Sequence, residues 1–169
     1  MSLRKFAITL AIILCAAHIF THAQNTSDLT TLKDRVVSYI ESQKPDWKYE
    51  NVQPISGSAD VVVQQWTLDN RSVRIAMISH KSTPAAAAAI SKLAREGQIN
   101  ERLLGLGDEA MTWGRGVVSF RKRNLTVDVS AANTEPTQDL SEAAKNTADE
   151  RKLAKEFAQL VSDAIKDKQ

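Results

Sequence analysis

Residues 105–130, GLGDEAMTWGRGVVSFRKRNLTVDVS, leave this chain few folds to choose from, because they alternate apolar and polar side chains across two tight turns. Pairing through a two-residue turn at Gly114-Arg115 sets Trp113 opposite Gly116, Thr112 opposite Val117 and Met111 opposite Val118. Glycine at the first loop position supplies the positive φ that a type II′ hairpin needs. A second two-residue turn falls at Lys122-Arg123 or at Arg123-Asn124, and both choices leave the same residues on each side of the sheet. In this register Met111, Trp113, Val118, Phe120, Leu125, Val127 and Val129 share one face, and Thr112, Val117, Ser119, Arg121, Thr126 and Asp128 share the other. An apolar face backed by a polar one is the signature of a half-buried antiparallel sheet. A three-residue loop would turn one strand's side chains over, so the parity of the turn is a sharp expectation.

Upstream, residues 28–43 place Leu32, Val36, Tyr39 and Ile40 at helical spacing, with Pro45 as a stop. Residues 47–55 read as a poorly patterned strand that, by Pro54, lies at an edge or ends there. Asp69-Asn70 joins residues 60–68 to 71–80 in a hairpin that sets Trp66 against Val73, Gln64 against Ile75 and Val62 against Met77. Thr83 is the expected cap of a helix that starts with Pro84, carries five alanines and closes at Gly97. Residues 98–106 read as a connector and residues 131–138 as a loop. From Ser141 onward Leu153, Phe157, Leu160, Ala164 and Ile165 form the apolar stripe of a last helix. The expected fold is α+β: one antiparallel sheet of about six strands, in the order helix, three strands, helix, three strands, helix, with the helices packed on one face.

The first 23 residues read as a secretory signal rather than as part of the domain. Arg4 and Lys5 form a basic start, residues 6–17 an apolar run, and Thr21-His22-Ala23 a small-x-small cleavage site before Gln24. The run is shorter than the roughly 20 apolar residues a membrane span needs. Cleavage of 23 residues leaves 146 of the 169 as a single domain, residues 24–169, destined for the periplasm or the exterior. It also removes Cys15, His18 and His22, and takes Lys plus Arg from 22 to 20, equal to the 20 Asp plus Glu. A neutral body gives no global field for nucleic acid.

That inventory limits the chemistry. Without cysteine and with His80 as the last histidine, a thiol nucleophile is excluded, a zinc cluster cannot be assembled, and a Ser/His/Asp triad has one imidazole to draw on and no G-x-S-x-G to mark it. Asp108-Glu109 is the tempting carboxylate pair, but neighbours on a strand point to opposite faces. A turn role for Gly107-Asp108 is the simpler expectation. No cofactor or metal is expected. Arg121, Lys122 and Arg123 concentrate positive charge at one hairpin tip and are the candidate ligand contacts, for an anionic group. Arg115 belongs to the other turn, a strand length away. Trp47, Trp66 and Trp113 read as core.

Gly107-Asp108-Glu109-Ala110, followed by Trp113 and Val118-Ser119-Phe120-Arg121-Lys122-Arg123-Asn124, resembles a pattern of small exported bacterial domains in which a GDEA segment precedes a hairpin with an F-R-K-G-N-like tip. The likeness spans about 20 of the 146 residues and departs from the pattern at Arg123, which stands at the expected glycine. It implies an envelope-facing α+β domain and carries over no catalytic residue. The expected function is a non-enzymatic exported module that binds a ligand or an envelope protein. The alternatives are an envelope hydrolase whose acids are not adjacent in sequence, and a scaffold that self-associates.

Overall fold

The computed structural model describes residues 28–54, 60–97, 99–134 and 139–166. The leader and its cleavage site, the turn at residues 56–58 and the C-terminal tail after Lys166 lie outside the described residues. The described part is α+β, with three helices and one antiparallel sheet of seven strands. In chain order these are α1 (28–43), β1 (Lys48–Val52), β2 (Val61–Leu68), β3 (Arg71–Ser79), α2 (Thr83–Glu96), β4 (Ile99–Leu103), β5 (Glu109–Trp113), β6 (Val117–Lys122), β7 (Leu125–Asn133) and α3 (Leu140–Ala164).

The strands lie in the order β1-β2-β3-β7-β6-β5-β4. Two meanders therefore meet at the central β3–β7 pair, where Ile75 faces Val129 and Met77 faces Val127. The β2–β3 hairpin has the expected register, with Trp66 on Val73, Gln64 on Ile75 and Val62 on Met77. Asp69 takes a φ of 51°, the left-handed region that aspartate tolerates in turns. β1 lies at the edge of the sheet and ends at Val52, short of Pro54.

β7 runs on through Asn133, into residues read as a loop, and three larger expectations about the sheet and its helices are corrected. First, residues 99–103 form β4, a seventh strand on the far edge, instead of a connector. Its sequence, INERL, has no apolar alternation to mark it, and the exposed Glu101 and Arg102 guard that edge with charge.

Second, the β5–β6 loop holds three residues, Gly114-Arg115-Gly116, so Trp113 pairs with Val117, Thr112 with Val118 and Met111 with Ser119. Gly114 and Gly116 both have positive φ, 56° and 111°, which lets the chain absorb the extra residue. A Cβ on Gly116 would also lie 2.3 Å from Cγ of Arg151 on α3. The parity change turns β5 over: Ala110 and Thr112 share a face with Val118 and Phe120, whereas Met111 and Trp113 join Ser119 and Asp128.

Third, the helices occupy both faces. α1 and α3 cover the face bearing Trp66, Val73, Ile75, Met77, Phe120, Val127 and Val129, and one buried cluster unites these residues with Val36, Ile40, Phe157 and Val161. Gln64 ties the same face to α1 by donating to the Lys33 carbonyl at 3.4 Å. α2 carries the chain from β3 across to the far edge. It lies against β6 and β7, and the bare Gly97 at its end approaches the ring of Trp113, which belongs to the opposite face. Ala86 and Ile90 are its buried residues. Ser82 rather than Thr83 caps this helix, its hydroxyl accepting from the Ala85 N–H at 3.3 Å. Gly97 closes it in an extended conformation, φ −87°, so glycine serves close approach there and not a left-handed turn.

Candidate functional site

The segment Gly107-Asp108-Glu109-Ala110 and the β6–β7 hairpin tip meet in space. Glu109 faces Arg121 and Ala110 faces Phe120 across the β5–β6 ladder, so the GDEA segment lies alongside the hairpin tip. Gly107 has a φ of 63°, and a Cβ there would sit 2.3 Å from the Arg121 carbonyl oxygen; only glycine fits between the two chains. Asp108 then binds the facing strand through both its backbone and its side chain. Its backbone N–H donates to the Arg121 carbonyl at 2.7 Å, and its Oδ2 accepts from Arg121 Nη1 at 2.9 Å and from the Arg123 N–H at 2.7 Å.

Arg121 completes the clamp from the other side by donating Nη1 to the Arg123 carbonyl at 3.2 Å. The peptide groups on both sides of Arg123 are thus held, which accounts for a non-glycine residue resting at φ 53° in the β6–β7 turn. This turn is Arg123-Asn124, since Lys122 pairs with Leu125. The Arg121 side chain is only 14% exposed, and its Nε is buried without a hydrogen-bond partner. Arg121 therefore works as a bracket inside the tip, while Lys122 and Arg123 face outward.

Their setting includes a residue that sequence reading missed. Lys122, Arg123 and Asn124 form one wall of an open groove of about 380 Å³ whose other wall is α1, with Asp28, Thr31 and Arg35. Positions 28, 31 and 35 lie on one helical stripe, which is legible, but nothing in the sequence says that the stripe faces a turn so far along the chain. Among the described residues neither Arg35 nor Lys122 takes part in an ion pair. Among the described residues that line it, the groove collects three cations and one carboxylate. Arg115 sits at the opposite end of β6, in a separate groove with Glu150.

The tempting acids diverge. Asp108 is engaged by Arg121, and Glu109 lies 3.7 Å from Arg102 on β4. On the α2 face Trp113 donates its indole N–H to Ser119 at 2.8 Å, and Ser119 donates its hydroxyl to Asp128. A serine, an acid and His80 do share this face, but His80 bonds Thr126 at 2.9 Å rather than Ser119, and Ser119 is fully buried. No imidazole lies between acid and hydroxyl, which a serine nucleophile requires. His80 is half-buried, tied to the tip by its N–H to the Asn124 carbonyl and by Asn124 Nδ2 to its own carbonyl at 3.0 Å. Trp47 and Trp66 are in the core, whereas Trp113 is half-buried. Among the described residues no group of three His, Cys, Asp or Glu side chains is placed to hold a metal ion, and no helix is long and apolar enough to cross a membrane.

Burial raises the Asp128 carboxyl above its ordinary range, with the Ser119 hydroxyl pulling partly the other way; burial lowers the His80 imidazole below its own. The folded chain therefore favours neutral Asp128, and that contribution to stability is complete below the ordinary aspartate value and is lost as pH rises through the raised one. For His80 the contribution is present above the ordinary imidazole value and is lost as pH falls through the lowered one. Asp128→Asn keeps an acceptor for Ser119 and removes the charge. Urea unfolding is expected to show the variant more stable than the parent at neutral pH, with the advantage vanishing once the medium is acid enough to protonate Asp128 in both states.

Comparison with protein-family models, curated proteins and solved structures gives no significant match to this chain.

Proposed function

We propose that the chain is an exported, non-enzymatic binding module that takes an anionic group, best a phosphate, in the groove between α1 and the β6–β7 tip. The observation that carries this reading is the convergence of Arg35, Lys122 and Arg123, from two distant segments, on one groove whose described lining includes one acid, Asp28. Guanidinium forks match the oxygens of a phosphate, and ammonium adds a point charge. The strained backbone supports the same reading. A left-handed non-glycine residue costs roughly 1–2 kcal/mol, and glycine would remove most of that while keeping the N–H and carbonyl that Asp108 and Arg121 clamp. The arginine at that position is favoured by what its side chain can reach, not by the turn.

Non-enzymatic binding is supported by the engagement of Asp108 and Glu109 with separate arginines and by the misordered Ser119, Asp128 and His80. Export is supported by the basic start, apolar run and small-x-small site of the first 23 residues.

The test compares stability and binding in one variant. Arg123→Gly is expected to leave the urea midpoint unchanged or raise stability by up to about 1 kcal/mol, yet to weaken binding of glycerol phosphate, followed by calorimetry at low salt, by about tenfold. Arg35→Gln and Lys122→Gln are expected to weaken it similarly without a change in fold. Equal affinity in all three variants and the parent, or no saturable binding by the parent, removes the proposal. The exported product is expected to begin at Gln24, and an intact mass that retains the first 23 residues removes the export part.

A further inference from the structure

A second cleft, at the opposite end of the sheet from the basic tip, has a different chemistry. It measures about 470 Å³, within the roughly 300–1,000 Å³ typical of small-molecule sites. One wall is the β2–β3 turn with the ends of β3 and β7; the other is the N-terminal half of α3.

The walls are pinned. Glu150 accepts the Asn133 N–H at 2.9 Å, which fastens α3 to β7, and Thr134 donates both its N–H and its hydroxyl to the Asn70 carbonyl, at 2.7 and 2.8 Å, which fastens β7 to the turn. Arg71 lies over the ring of Trp47, its guanidinium carbon 5.5 Å from the centroid, so the fork is held at the cleft wall.

Glu156, also in the lining, is paired with Lys44, but the other polar side chains are not satisfied by one another. Arg71 on the sheet wall and Asp149 and Lys152 on the helix wall all line the cleft, yet none forms an ion pair with a described residue. The side-chain amides of Asn70 and Asn146, also in the lining, make no hydrogen bond with a described residue. Opposite charges that line one cleft without touching are complementary to a molecule carrying both signs. Two free amides, each donor and acceptor, match the N–H and C=O of a peptide bond.

We infer that this cleft binds a short peptide through its free termini, with the carboxylate on Arg71, the ammonium on Asp149 and the peptide group between Asn70 and Asn146. A dipeptide with both termini free is the smallest molecule that presents all three features. Lys152 is the reserve cation for the carboxylate and repels the ammonium, which sets the direction of binding.

The probe is L-Ala-L-Ala, titrated into the isotope-labelled chain and followed by backbone amide shifts. Saturable shifts confined to the β2–β3 turn, the end of β7 and the first half of α3 are expected. Acetylation of the amino end or amidation of the carboxyl end should each weaken binding by about tenfold, the cost of one charge-assisted bond. Asp149→Asn should reproduce the first loss and be insensitive to acetylation. Asp149 and Lys152 are exposed, so their variants retain the fold, and Lys152→Gln supplies a second, independent test on the carboxylate side. Lys122→Gln, at the other end of the molecule, should bind the dipeptide as the parent does. Absence of saturable shifts, equal binding of the blocked dipeptides, parental affinity in Asp149→Asn, or loss in Lys122→Gln each overturns the assignment.

Discussion

Gly107→Ala is expected to destabilise the chain by about 3 kcal/mol, from a left-handed penalty of roughly 1–2 kcal/mol plus the cost of forcing a well-packed contact apart. The second term follows from the partner. A Cβ on Gly107 would meet the Arg121 carbonyl oxygen at 2.3 Å and Cδ2 of Phe120 at 3.1 Å, and the first of these is backbone, which cannot rotate out of the way. β6 must move or the Asp108–Arg121 ladder bond must break. Gly105→Ala isolates the first term, because Gly105 has a similar φ of 77° with nothing within 4 Å of the added carbon. Its loss should be about 1 kcal/mol. Urea unfolding of both variants decides the matter: equal losses would mean that close approach at Gly107 contributes nothing. Since Gly107 precedes the residue that clamps the tip, its alanine variant should also weaken phosphate binding, while Gly105→Ala should not.

The contrast between the two hairpins explains what could be read from residues alone. Asp69-Asn70 is flanked by Leu68 and Arg71, and no neighbouring residue competes for the turn, so the register of β2 on β3 was legible to the residue. Gly114-Arg115-Gly116 offers glycine at both ends, and either a two- or a three-residue loop satisfies the local backbone. The choice is then made by packing. Because α2 covers the face that carries Met111 and Trp113, and α1 with α3 covers the face that carries Ala110 and Thr112, bulk apolar residues do not mark a single core side in β5. Alternation identifies a buried face when the other face is wet, and here it is dry.

The candidate site was legible in part, for a related reason. Arg121, Lys122 and Arg123 stand together in sequence, but strand parity separates them: Arg121 turns back onto Asp108, and Lys122 and Arg123 remain at the groove. Arg35 carries no mark in sequence that distinguishes it from any other charge on an amphipathic helix. Gly107, Asp108 and the hairpin tip at Arg121 and Arg123 form a single packed and hydrogen-bonded unit. Such a unit specifies a turn. It does not specify what the turn binds, which depends on the residues placed around it.

Phe157→Ala is expected to cost about 4 kcal/mol, within the roughly 3–5 kcal/mol of buried aromatic truncations, and so to remove a large share of a domain stability that is ordinarily about 5–15 kcal/mol. The fully buried ring is where three separate segments are fastened. It meets Trp47, between α1 and β1, edge-on at 4.9 Å, and Trp66 in β2 at 6.4 Å. Edge-to-face pairs add roughly 0.5–1.5 kcal/mol beyond the area they bury. Loss of the ring leaves a void flanked by two indoles that cannot close it without shifting, because Trp47 is itself held between Phe157 and the Arg71 guanidinium. Near-ultraviolet dichroism should report the loosened indoles, and urea unfolding the energy. Leu140→Ala, at a side chain 88% exposed on the same helix, should change stability by less than about 0.5 kcal/mol. The void should also loosen Arg71 through Trp47, so Phe157→Ala is expected to weaken dipeptide binding at temperatures where the chain is still folded. A variant that loses less than about 1 kcal/mol would show that the stacked rings are incidental to the core, and the fixed guanidinium on which the second cleft depends would lose its support.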